Sequence, residues 1–154
     1  MLELVTEQPT RHSIKDSPIS YHFAAMLSQH SWSCFCVFTT YYPLRSDRAR
    51  TLMNQMFYDL TLTLGYSPKL FWVAEKAPRK DNFHLHALVE LDMPQDIACE
   101  IVEQSWKRVS KAGSYMKRNA SWVKPFEYER NCGSHYVSKQ LNHRKEEIDW
   151  DFVF

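Results

Sequence analysis

The sequence predicts an α+β domain, a ferredoxin-like split βαβ sandwich in which an antiparallel sheet carries its helices packed on one face. Two observations lead there. Two short apolar runs, Lys69 to Glu75 and Phe83 to Leu91, are joined by the polar connection Lys76-Ala77-Pro78-Arg79-Lys80-Asp81-Asn82 and read as an antiparallel hairpin. A strand-like run and an amphipathic helical stretch precede that hairpin, and a second helical stretch and another strand-like run follow it. With a last helix, the order becomes strand, helix, strand, strand, helix, strand, helix.

Each element has its own local signal. Residues 1 to 30 mix Pro, Ser, His and charged side chains, with a short helical pattern near Tyr21 to Gln29, and read as an N-terminal extension ahead of a domain spanning 31–154. Cys34 to Tyr41 is rich in aromatic and β-branched residues and stops before Pro43, as a strand would. Ser46 or Asp47 offers an N-cap. Ala49, Leu52, Met53, Met56, Phe57, Leu60 and Leu64 then recur at helical spacing until Gly65. A second helix is expected from Pro94 to Gly113, with Ile97, Ile101, Val102, Trp106 and Val109 on its apolar side. Ser121 to Phe126 reads as the fourth strand and Gly133 to His143 as the last helix, while the tail Asp149 to Phe154 reads equally as strand or docked coil. Helices on one face leave the other face of the sheet for a site.

Composition narrows the function classes. A chain of 154 residues, 44% hydrophobic and 14% aromatic, has the material for one packed domain. No apolar run approaches the roughly 20 residues of a membrane span, and the N-terminus lacks a secretory pattern, so a cytoplasmic protein without membrane contact is expected. Cys34, Cys36, Cys99 and Cys132 are spaced for neither a zinc knuckle nor a disulfide framework and read as free thiols. No phosphate-binding Gly-x-x-x-x-Gly-Lys-Ser/Thr loop occurs, which argues against a nucleotide-driven motor. The net charge is only +1, but Lys107, Arg108, Lys111, Lys117, Arg118 and Lys124 fall in one stretch that holds no acid, and they form the expected DNA-binding set.

The chemistry concentrates at two places. His84 and His86 are two residues apart on a strand, so both imidazoles face one way and can hold one ion. Glu75 on the paired strand is the expected third ligand, with Asp81, Glu90 and Asp92 competing for that role. Pairing Glu75 with either histidine puts all three side chains on one face, whereas a slip of one residue does not. Two imidazoles and a carboxylate suit Mg²⁺ or Mn²⁺. Downstream, Tyr136 and Lys139 stand one helical turn apart and can face one phosphate. A phenol with a pKa of about 10 needs a neighbouring ion or base to attack phosphorus at neutral pH. A metal pair with such a tyrosine points to phosphodiester chemistry.

These motifs resemble those of the HUH endonucleases, the replication-initiator and relaxase superfamily, and specifically the single-tyrosine rolling-circle replication initiators. Phe38-Thr39-Thr40-Tyr41 is similar to the first-strand motif, Phe83-His84-Leu85-His86-Ala87 to the metal motif and Tyr136-Val137-Ser138-Lys139 to the nucleophile helix, in that order across Cys34 to Leu141. The resemblance implies the HUH fold, Mg²⁺ or Mn²⁺ on His84, His86 and Glu75, and a 5′-phosphotyrosine on Tyr136 with Lys139 assisting. It also implies single-stranded DNA at a replication origin or hairpin as the partner, nicked and rejoined to start rolling-circle replication of a plasmid, phage or similar element. A transposase or mobilisation relaxase of the same chemistry, or a non-cutting DNA-binding regulator of the same fold, are the competing readings. The glycine-containing link usual between carboxylate and histidines is replaced by Lys76 to Asn82. No helicase domain accompanies the nuclease motifs, so strand unwinding and termination fall to a second copy, as in a homodimer, or to a host helicase and polymerase.

Overall fold

The computed structural model describes residues 18–40, 43–76, 83–110, 121–128 and 148–153. Three helices and five strands follow one another as α1 (Pro18–Leu27), β1 (Cys34–Phe38), α2 (Ser46–Leu64), β2 (Lys69–Lys76), β3 (Phe83–Glu90), α3 (Gln95–Ser110), β4 (Trp122–Pro125) and β5 (Ile148–Val153). The strands form one open sheet in the order β4-β1-β3-β2-β5, and every pairing is antiparallel. β3 is therefore central, with β1 on one side and its hairpin partner β2 on the other. β1 and β2 run the same way with β3 inserted between them, which is how a βαβ unit is split.

Period-two alternation sorts the sheet residues onto two faces. Cys34, Cys36 and Phe38 of β1, Leu70, Trp72 and Ala74 of β2, and Leu85, Ala87 and Val89 of β3 point to the side covered by α2 and α3 and join one buried cluster with them. In α2 the buried residues are Ala49, Leu52, Met53, Met56 and Leu60, all on one side of the helix, and the helix stops where Gly65 takes φ 75° and donates its N–H to the carbonyl of Thr61. Across the layer, the Phe38 ring stacks on Trp106 of α3 at 4.3 Å between centroids. Arg108 of α3 grips Asp59 of α2 with two hydrogen bonds of 2.8 and 3.2 Å. Arg50 of α2 reaches the edge strand, binding both oxygens of Asp149 at 2.6 and 3.0 Å and Asp151 at 3.0 Å. That tie holds β5 to the helical layer.

Several expectations change. α2 begins at Ser46 with Arg45 as its N-cap and no capping side chain, so Ser46 and Asp47 lie inside the helix; Asp47 instead favours the first turn through the helix dipole. In α3 the buried line is Ala98, Val102, Ser105 and Trp106, which turns Ile97 outward. The tail is a paired strand, because Asp149 and Asp151 meet Arg50 on one face while Trp150 and Phe152 occupy the other. The second face of the sheet is not wholly open. Leu27 at the end of α1, Trp32 and Phe126 bury Phe71, Val73 and Leu88 there. Tyr128 donates its hydroxyl to the carbonyl of Trp32 and packs edge-on against Phe126. The expected helix from Gly133 to His143 lies outside the described residues.

Candidate metal centre

The second face can be read row by row across the five strands. One row is Lys124, Phe35, Leu88, Phe71 and Phe152, apolar but for its edge lysine and partly covered by Leu27, Trp32 and Phe126. The next is Trp122, Val37, His86, Val73 and Trp150, which seats an imidazole between two valines at the middle of the sheet. Beyond it, at the hairpin end, His84 stands opposite Glu75, whose other neighbour position is Ile148.

The register settles the question the sequence left open about facing. Glu75 pairs with His84 rather than with His86, so Glu75, His84 and His86 all belong to the face away from α2 and α3. The longer glutamate side chain then reaches diagonally to the second histidine. Its Oε2 lies 3.3 Å from His86 Nε2. His86 is 4% exposed, whereas His84 and Glu75 are partly open to solvent, so one candidate ligand is sheathed in the sheet and two lie at its rim.

Competing carboxylates separate from this place. Glu90 shares the face but sits four residues along β3, roughly 13 Å away, where it receives Lys69 Nζ and the Ser31 N–H, each at 3.1 Å. Asp92 lies past the strand, its N–H on the Tyr66 hydroxyl. Asp81 lies outside the described residues.

Two imidazoles and one carboxylate form a donor set suited to a hexacoordinate Mg²⁺ or Mn²⁺. Neighbouring ligands of such an ion, each about 2.1 Å from it, stand roughly 3 Å apart, so the Glu75 to His86 separation of 3.3 Å fits two ligands of one ion. Among the described residues no group of three His, Cys, Asp or Glu side chains is already gathered tightly enough to hold one. His84 shares the face of that pair by its register position.

The thiols stand apart from this site. Cys34 and Cys36 point to the helical side, and Cys34 meets Cys99 of α3 with 3.4 Å between sulfurs. Burial pushes both strand thiols far above their ordinary pKa, and burial raises that of Cys99 as well. Protonated thiols are poor ligands and nucleophiles.

The basic residues divide. Lys107 pairs with Glu103 at 2.8 Å and Arg108 with Asp59, both on the helical layer. Lys124 lies on the histidine face, with its ammonium 4.6 Å from the centroid of the Trp122 ring. Lys111, Lys117, Arg118, Tyr136 and Lys139 lie outside the described residues.

Comparison with known families, curated proteins and solved structures found no match. Among the described residues, no helix is long and apolar enough to cross a membrane. Two features of the face escaped sequence reasoning: Trp122 and Trp150 bracket the His86 row at opposite edges. The alternation in Asp149-Trp150-Asp151-Phe152 was the available signal for one of them.

Proposed function

We propose that the chain is a metal-dependent, site-specific single-strand DNA endonuclease and ligase that nicks an origin through a 5′-phosphotyrosine and so starts rolling-circle replication of a plasmid, phage or similar element. The observation that carries this reading is the placement of Glu75, His84 and His86 on one face of the sheet, His86 at its middle and the other two towards the hairpin end, with Glu75 3.3 Å from His86. The strand order β4-β1-β3-β2, which is that of a ferredoxin-like split βαβ fold, supports the HUH architecture. The motif order along the chain supports it independently.

In this reading His84, His86 and Glu75 hold Mg²⁺ or Mn²⁺, which supplies Lewis-acid polarisation of the scissile phosphate. The histidines bind as neutral imidazoles, and the valines flanking His86 limit its freedom to turn away. The Tyr136 hydroxyl attacks phosphorus, a bond from phosphorus to the phenolic oxygen forms, and the bond to the 3′ oxygen breaks. The proton lost by the tyrosine is balanced by the one gained by the leaving 3′ oxygen. Lys139, three residues along, offsets charge on the pentacoordinate phosphorus. Reversal of the same step joins the held 5′ end to a new 3′-OH, which accounts for the ligase activity.

The test is incubation with single-stranded origin DNA and Mn²⁺ followed by denaturing electrophoresis. A covalent adduct that is lost in Tyr136→Phe supports the proposal. Tight binding without an adduct would instead make the chain a non-cutting DNA-binding protein of the same fold. Cleavage that persists in Tyr136→Phe would indicate water as the nucleophile.

A further inference from the structure

Trp150 is an unusual residue for its place. It lies on the edge strand β5, 41% exposed, in the same cross-strand row as His86 and two strands away from it, a separation of roughly 10 Å. Its ring leans on Phe71 with 6.1 Å between centroids, which fixes one side of the indole while a large part stays open. The two acidic neighbours in Asp149-Trp150-Asp151 would repel a phosphodiester chain if they shared its face. They do not, because alternation turns both to the helical side, where Arg50 binds them. What this tripeptide offers on the histidine side is an indole with its adjacent carboxylates turned to the other face and partly offset by one guanidinium.

At the opposite edge of the same row stands Trp122, in edge-to-face contact with Phe35 at 5.2 Å and with Lys124 over its ring. A row with an aromatic ring at each end, a cation beside one of them and a candidate metal ligand at its centre has the composition of a single-strand binding surface, where bases stack on rings and the backbone meets positive charge.

We propose that Trp150 is a base-stacking platform that seats a nucleotide of single-stranded DNA beside the Glu75, His84 and His86 group, with the strand continuing across the sheet towards Trp122 and Lys124. This rests on the nicking function proposed above and adds to it the residue that positions the substrate. The platform is indifferent to base identity, since every base has a π face.

Tryptophan fluorescence reads the contact directly. Trp32, Trp72 and Trp106 are at most 1% exposed, so quenching by an added ligand reports on Trp150 and the half-buried Trp122. The full chain is titrated with a labelled oligothymidylate in EDTA, with affinity read from anisotropy of the label and stacking from quenching. The expected result is binding with quenching. Trp150→Ala should weaken that binding roughly ten-fold, and Trp150→Phe, which keeps a ring against Phe71, should restore part of it with a smaller quench. Circular dichroism verifies that both variants fold. Unchanged affinity in Trp150→Ala, or binding without quenching, overturns the platform. So does a change in oligomeric state in Trp150→Ala at unchanged DNA affinity, which would assign the indole to contact with a second copy. The Tyr136 adduct is measured separately, so the platform can fail while the nicking function stands, and a missing adduct with normal stacking would show the reverse.

Discussion

Glu75 reaches past its own register partner, His84, to bring Oε2 within 3.3 Å of His86 Nε2 on the central strand. A carboxylate and an imidazole from adjacent strands are thus joined at one point of that face, beside the apolar row of Phe35, Leu88 and Phe71. The two histidines differ in setting, since His86 is enclosed between Val37 and Val73 while His84 is at the rim.

That difference predicts unequal consequences of mutation. His84→Ala should abolish cleavage and reduce Mn²⁺ affinity by titration calorimetry with little loss of stability. His86→Ala should abolish cleavage and also cost on the order of 1–3 kcal/mol of folding stability, because it removes a packed side chain from the sheet. Glu75→Gln, which keeps the shape and removes the charge, should lose Mn²⁺ binding while retaining its urea midpoint. Retained Mn²⁺ affinity in all three would remove the metal role.

The pairing of Asp59 with Arg108 predicts a pH-dependent clamp between α2 and α3. Hydrogen bonds from the Arg108 guanidinium hold the Asp59 carboxyl below its ordinary value of 3.8. A carboxylate with a depressed folded-state pKa adds stability above its unfolded-state pKa and loses it as pH falls through the folded-state pKa. Asp59→Asn should therefore cost about 0.5–1 kcal/mol at pH 7. In urea melts repeated at successively lower pH, the gap from the parent protein should narrow once the carboxylate begins to protonate. A gap that stays constant down to full protonation would assign the effect to shape rather than charge.

The thiols predict slow chemistry. With burial holding Cys34, Cys36 and Cys99 protonated, alkylation by iodoacetamide at pH 8 should leave the two strand cysteines unmodified in the folded protein. Cys99, less buried, should react first of the three. Peptide mass spectrometry before and after adding denaturant gives the order. Rapid labelling of Cys36 under native conditions would show that the helical layer opens readily.

The basic residues predict a separable salt effect. Replacing Lys117 and Arg118 with alanine should weaken DNA binding and reduce the slope of log affinity against log salt by about 1.4 for a single strand, 0.7 for each lost phosphate contact. Arg108→Ala, by contrast, should lower stability by freeing Asp59, with a smaller change in slope, since Arg108 is held on the helical layer. An unchanged slope on replacing Lys117 and Arg118 would return that segment to ordinary solvated surface.

Much of this fold was legible because burial imposes period. The stripe from Ala49 to Leu60 and its stop at Gly65, and the paired strands β2 and β3, follow from side chains sorted by which face they hide. What was not legible depended on partners distant in the chain. The β5 tail was ambiguous because Asp149 and Asp151 look unsuited to a sheet until Arg50, about a hundred residues earlier, is brought beside them. Ile97 looked like core, yet the packed side of α3 runs through Ala98 and Val102. The cover that Leu27, Trp32 and Phe126 give the second face follows from tertiary docking that no local pattern records. For the site, the shared face of His84 and His86 was evident from strand alternation, and Glu75 was the expected carboxylate, whereas its facing towards them required the register.

Covalent capture is the most direct measurement of whether Tyr136 acts with this histidine face on a DNA phosphate. Single-stranded origin DNA carrying a label on the 3′ side of the nick, incubated with the protein and Mn²⁺, should yield a labelled protein band that survives denaturation. The band should disappear in Tyr136→Phe, in His86→Ala and in excess EDTA. An adduct that forms equally well in Tyr136→Phe, or DNA bound tightly with no adduct under any divalent ion, would contradict it.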